Sequence, residues 1–335
     1  MLNPLVRQHQ FRRIDLRGNL FRLSHIKICN TPHSITTDLR KHDQYTMAEI
    51  VWQALSRQET GPGMSNDRSG KGGIRMSFTV REVTPGVRHI QDAMGVCMTL
   101  LEGTDRALLV DTGYGTEDVA AYVRSLTDRP LTVLLTHHHH DHALGARWFP
   151  ETLMFPEDLP DWPLYAGEAQ RRLVLEQARG RGLTVEGDFL SAIPEPKPLT
   201  EGPIDLGGLT AEIIRCPGHT PGSAVVWVPE RKLLLTGDDW NPCTWLFFPA
   251  ALPVHGYLRN MRGLLRLPFE QALCSHQPGP YPRAMIETFL SALTDDALRA
   301  AQPVTIAPYG SIDTRQALLP EGQQLVFDWA KADFT

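Results

Sequence analysis

The chain has 335 residues, 42% of them apolar and 21% charged, a balance that lets a globular protein bury a full core. A formal net charge of -5 offers no general attraction to nucleic acid or to anionic membranes. No apolar run approaches the ~20 residues of a membrane-spanning helix, and no basic, apolar and small-residue leader opens the sequence. The five cysteines (Cys29, Cys97, Cys216, Cys243, Cys274) contain no C-x-x-C pair, which points to a reducing, cytoplasmic location rather than a disulfide framework.

Residues 1–75 differ in character from the rest of the chain. HQFRRIDLRGNLFRLSHIK is basic with a single acid, and TGPGMSNDRSGKGG is rich in Gly, Ser and Asn. Neither sustains a helical or strand period, so an N-terminal extension that is disordered or weakly attached is expected. An organellar transit peptide, or a start at Met76, are open alternatives.

From Phe78 the pattern sharpens, and residues 76–335 read as one domain. FTVREV, VRHIQ, CMTLLEG and ALLVD are short strands between Gly, Pro and charged turns. Thr116, followed by Glu117 and Asp118, is expected to start a helix running to about Ser125. LTVLL is a buried strand. Further on, LTAEIIRC, SAVVWV, KLLLTG and QALCS are strands, GYLRNMRGLLRL a helix with an apolar stripe, and PRAMIETFLSALTDDALRA one long amphipathic helix. Residues 148–165 and 240–254, heavy in Trp, Phe, Leu and Pro, read as loops. Strands and helices alternating in two halves predict an α/β fold of two sheets packed face to face with helices outside.

Immediately after LTVLL stand five histidines and an aspartate in six positions: His137, His138, His139, His140, Asp141 and His142. On an extended segment alternate side chains share a direction, so His137 and His139 converge while His138 and His140 turn away. Asp141 and His142 lie just beyond and reach a neighbouring point. Imidazole with a carboxylate suits Zn²⁺.

THHHHDH resembles the H-x-H-x-D-H motif of the metallo-β-lactamase-fold hydrolases, on the glyoxalase II/lactonase-like branch rather than among true β-lactamases. DTGYG (Asp111 to Gly115), CPGHTPGS with His219, LLTGDD with Asp238 and CSHQPGP with His276 are similar to the family's further motifs and occur in its order. The resemblance covers about residues 78 to 290. It implies a four-layer αββα sandwich of two mixed sheets flanked by helices. It also implies two Zn²⁺ ions, with Mn²⁺ or Fe²⁺ as other divalent options. One ion would take His137, His139 and His219, the other Asp141, His142 and His276, with Asp238 bridging. Asp239 beside it would be a solvated or loop-capping acid. Asp111 would hydrogen-bond a ligand histidine, or simply cap the turn after its strand.

The activity implied is hydrolysis of an ester, lactone or thioester of a fairly apolar small molecule by a hydroxide between the ions, with Asp141 orienting it and moving a proton. An RNase Z-like phosphodiesterase is the alternative, and the acidic net charge speaks against it. His139 stands where di-iron relatives carry an acid, and Asp238 stands where many β-lactamases have none. Asn241 stands where lactonases commonly carry Tyr, and no basic pair for glutathione is evident. Trp240, Trp245 and Tyr257 are expected to line the pocket. The alternative is that their segments pack against the body or against a second subunit of a homodimer.

Overall fold

A computed structural model describes residues 77–306 and 309–334, all within one unit, Tyr45–Thr335; the expectations for residues 1–75 and for Met76 lie outside the described residues. Seven strands, β1 (Thr79–Thr84), β2 (Val87–Gln91), β3 (Cys97–Glu102), β4 (Ala107–Val110), β5 (Leu131–Leu134), β6 (Leu153–Met154) and β7 (Lys197–Pro198), form a first sheet in sequence order. Pairing is antiparallel as far as β4 and parallel from β4 to β7. A parallel neighbour requires a crossover, which α1 (Val119–Leu126) supplies between β4 and β5. Asp118 caps α1 by accepting from Ala121 N at 2.8 Å, so the helix starts later than Thr116, the expected cap.

The next strands are β8 (Gly202–Asp205), β9 (Thr210–Arg215), β10 (Ala224–Val228), β11 (Leu233–Gly237), β12 (Cys243–Leu246), β13 (Gln271–Cys274) and β14 (Tyr281–Pro282). All but β12 form the second sheet, in the order β14-β13-β11-β10-β9-β8. The helices beyond α1 are α2 (His140–Ala143), α3 (Trp162–Tyr165), α4 (Glu168–Gly180), α5 (Val254–Leu264), α6 (Arg283–Ala292) and α7 (Asp295–Arg299).

The period of two along each strand sorts the layers. Leu101, Leu108, Val110 and Leu134 of the first sheet meet Ala211, Ile213, Val226 and Leu235 of the second in one buried cluster. Their alternates Leu100, Leu109 and Val133 face Val119 and Val123 of α1. Val225, Trp227 and Leu234 face Leu258 and Met261 of α5 and Ile286 and Phe289 of α6. The result is the expected helix–sheet–sheet–helix sandwich.

The C-terminal part departs from expectation. The single long helix is two: Leu293 leaves helical geometry, and Thr294 caps α7 through Ala297 N at 3.2 Å. Beyond it β15 (Gln302–Pro303), β16 (Thr314–Leu318) and β17 (Gln324–Asp328) join β12 in a third sheet, ordered β12-β17-β16-β15. Residues 240–254 are therefore only partly loop, because β12 pairs in parallel with β17. Residues 148–165 likewise contain β6, the 3-10 turn Pro156–Asp161 and α3. Among the described residues no helix is long and apolar enough to cross a membrane, and Cys97, Cys216, Cys243 and Cys274 are free thiols.

Candidate metal centre

After β5 the backbone bends at residues 136–138, is extended at His139 and enters α2 at His140. The histidine run is thus a bend leading into a helical turn, and strict alternation ends at His139. It still delivers two groups of donors. His137, His139 and His219 form one; Asp141, His142, Asp238 and His276 form the other, and within each group the donor atoms lie within 4.8 Å of one another. The first three ring centroids make a nearly equilateral triangle of 4.7, 4.8 and 4.7 Å, with the rings almost perpendicular. The groups adjoin: His137 and His142 are 4.1 Å apart by ring centroid. Asp238 reaches both, its Oδ2 lying 3.0 Å from His276 Nε2, 3.3 Å from His142 Nε2 and 3.8 Å from His219 Nε2.

Strand ends bring the distant members in. His219 lies in the connection between β9 and β10, and His276 comes just after β13. Asp238 comes directly after Gly237, whose φ of +53° turns the chain off β11, and a Cβ there would sit 3.0 Å from Thr136 Oγ1. Asp111, just past β4, accepts from Thr136 N at 2.7 Å and from His142 Nδ1 at 3.0 Å. It therefore both closes its turn and orients a histidine of the second group.

The hydrogen bonds also assign tautomers. His142 donates through Nδ1 to Asp111, and His219 through Nδ1 to the Trp245 carbonyl at 2.6 Å. His137 Nδ1 lies 3.0 Å from Thr136 Oγ1, whose own proton goes to Asp111. His137 and His219 are left with an Nε2 lone pair, and in His142 it is Nε2 that would be freed for a ligand bond. His137 Nε2, His142 Nε2 and Asp238 Oδ1 are buried without a hydrogen-bond partner, and His139 Nδ1 faces His219 Nε2 at 2.9 Å. Such groups are costly unless something satisfies them, and a divalent cation in each group would do so. The donor chemistry fits two such ions.

Charge divides the groups. Burial and neighbouring imidazoles hold His137 and His139 well below the usual histidine range, and burial lowers His219, so the first group is neutral. Burial disfavours the charged form of His142, but Asp238, Asp141 and Asp111 raise it well above its usual value. Burial opposes His276 as well, and Asp238 raises it. Burial favours neutral Asp238 and Asp141, yet the facing histidines hold Asp238 well below the carboxylate range and lower Asp141. A cation entering the second group would displace protons from His142 and His276.

The other motif residues face elsewhere. His138 is fully buried with Nδ1 3.2 Å from Asp158 Oδ2, and His140 faces Tyr114 at 5.6 Å. Asp239 turns from the donors to accept from His219 N at 3.2 Å, and burial pushes its carboxyl well above the usual range; of the two alternatives it is the loop-capping acid, not the solvated one. Trp240 and Tyr257 do not line the site. Both are fully buried in the core behind the second sheet, Trp240 donating to Gln323 Oε1 at 3.2 Å and Tyr257 to the Asp239 carbonyl at 2.6 Å. Trp245 reaches His219 through its carbonyl, while its ring packs on Phe247. The residues that wall the first group are Phe248, 4.3 Å from His139 and 5.2 Å from His219 by ring centroid, and Tyr165, 4.5 Å from His139. Their aromatic segments stand out in the sequence, but nothing there says which ring turns inward. The donors most open to solvent are His276 and Asp141, with 22% and 16% of their side chains exposed.

A family model described as the metallo-beta-lactamase superfamily matches residues 92–266, more than half of the chain. An uncharacterized protein of Mycobacterium tuberculosis is 33% identical over 162 residues, 42% of this chain and 66% of its own length. A hydroxyacylglutathione hydrolase of Xylella fastidiosa is 34% identical over 178 residues, 52% of this chain and 57% of its own. The match thus spans less than two thirds of either relative. Among solved structures, an inverting sec-alkylsulfatase of a Pseudomonas species superposes with a TM-score of 0.52 at 15% identity, over 66% of this chain and 42% of that one, a likeness of fold alone.

Proposed function

The chain belongs to the metallo-beta-lactamase superfamily, and from that premise we propose that it is a dinuclear zinc hydrolase of carbonyl esters, lactones or thioesters of fairly apolar small molecules. The observation that carries this reading is the pair of adjoining donor groups with Asp238 within reach of both. His137, His139 and His219 would hold one ion, Asp141, His142 and His276 the other, and Asp238 both. When bound, such a pair supplies an activated water and a Lewis acid for the substrate oxygen.

The chain's own residues do the rest. Asp111 keeps the His142 proton on Nδ1, so that Nε2 stays a ligand. Asp141, partly exposed beside His276, is placed to hold a proton and pass it to the leaving group. Phe248 and Tyr165 keep water from the first group and offer an apolar wall to an acyl portion. The likeness to a hydroxyacylglutathione hydrolase supports a thioester. A panel of lactone, thioester, ester and phosphodiester substrates, each with and without chelator, tests the proposal. We expect chelator-sensitive cleavage of an acyl substrate. Cleavage of phosphodiesters alone would overturn it.

A further inference from the structure

The three-histidine group is assembled from two loops, His137 and His139 at the bend after β5 and His219 between β9 and β10. Asp158, from the 3-10 turn Pro156–Asp161, is wedged between these loops with no exposed surface. Its Oδ1 accepts from Gly222 N at 2.6 Å. Its Oδ2 accepts from Thr220 Oγ1 at 2.8 Å and from His138 N at 3.3 Å, with His138 Nδ1 3.2 Å away. One carboxylate therefore grips the peptide between two of the histidines and the residues first and third after the other. The fit is tight: a Cβ on Gly222 would meet the Asp158 carboxyl carbon at 2.7 Å. Ser223 Oγ fixes Thr220 further, 3.0 Å from its N and 2.9 Å from its Oγ1.

We propose that Asp158 is a positioning residue for the ion held by His137, His139 and His219, setting the spacing of the two loops through their backbones. This rests on the two-ion function proposed for the site. The second group is served by a different carboxylate, because His142 bonds to Asp111. Loss of Asp158 should consequently fall on one ion and spare the other, an asymmetry that general destabilisation does not produce.

Full-length protein stripped of metal is titrated with Zn²⁺ against a chromophoric chelator, resolving two equivalents, in wild type, Asp158→Asn and Thr220→Val. Asp158→Asn keeps the volume but turns one accepting oxygen into a donor. One equivalent should weaken about 10- to 100-fold in this variant, the range for partners that orient ligands, while the other holds. Thr220→Val removes the hydrogen bonds of Oγ1 to Asp158 and to Ser223 but leaves Asp158 its Gly222 and His138 partners. It should weaken the same equivalent roughly 2- to 10-fold, which also tests the proposal should Asp158→Asn fail to fold. Wild-type affinity at both equivalents in a folded variant would overturn it, as would equal weakening of both alongside a lowered Tm. A wild-type chain that took up no zinc would instead refute the two-ion reading, and the proposal with it.

Discussion

Asp111→Asn isolates the link between hydrogen bonding and metal affinity at the second donor group. Asp111 has φ of +66°, a left-handed conformation that Asn tolerates almost as well as Asp, so the backbone is not the perturbation. The carboxylate accepts on both sides, from Thr136 N at 2.7 Å on Oδ1 and from His142 Nδ1 at 3.0 Å on Oδ2. An amide has one accepting oxygen. If that oxygen stays with Thr136, the amide NH₂ faces His142 Nδ1 and drives the proton to Nε2, the atom needed as a ligand. If the amide flips, Thr136 N is left buried against a donor. Either outcome should cost the second equivalent about 10- to 100-fold in Zn²⁺ affinity, ~1.4 to 2.7 kcal/mol. The first equivalent should weaken less, because Asp111 reaches His137 only through Thr136 Oγ1. The assay is the same chelator competition, and Asp111→Asn and Asp158→Asn should weaken opposite equivalents. Wild-type affinity at both sites in Asp111→Asn would refute the tautomer argument.

Other substitutions test other parts of the account. Trp240→Phe should lower stability by about 2 kcal/mol, because it leaves Gln323 Oε1 without its donor and opens a void in the core, while KM stays unchanged. A raised KM at unaltered Tm would return Trp240 to the substrate pocket. His89 is pressed down to about 4 from 6.5 by burial. The folded state therefore binds fewer protons between these values, and stability present above pH 6.5 is lost as the pH falls toward 4. His89→Gln keeps a donor for the Gln277 carbonyl and should gain about 3 kcal/mol on wild type between about pH 7 and pH 4 in urea denaturation. Asp92, pushed up to about 6 by burial, acts in the opposite sense, so the difference between the two proteins is the quantity to read. Parallel curves would refute the assignment.

What could be read without coordinates depended on how local each signal was. The run from His137 to His142 concentrates its donors in six positions, so its chemistry is visible in a short window. His219, Asp238 and His276 are single residues, and it was the resemblance of their motifs, with their order and their places at strand ends, that joined them to the run. Asp158 had no such help: one of three acids in PEDLPD carries no spacing that singles it out, and its partners Thr220 and Gly222 lie more than sixty residues away. The third sheet was missed for a similar reason, since β12 finds its partner in β17 across the intervening helices. The break between α6 and α7 did have a local signal, because Thr294 before Asp295 and Asp296 is a cap sequence, but the continuing apolar stripe masked it. With Trp240 and Tyr257, aromatic content marked the right neighbourhood and the wrong faces. Composition says that a segment is apolar; only packing decides which rings turn toward the donors.

Elemental analysis of the purified full-length chain after exposure to Zn²⁺ tests the central claim most directly. Two divalent ions per chain are expected, falling to one in His139→Ala and one in His276→Ala, since each substitution depletes a different group. A wild-type chain that held none, or two ions retained in both variants, would contradict the account.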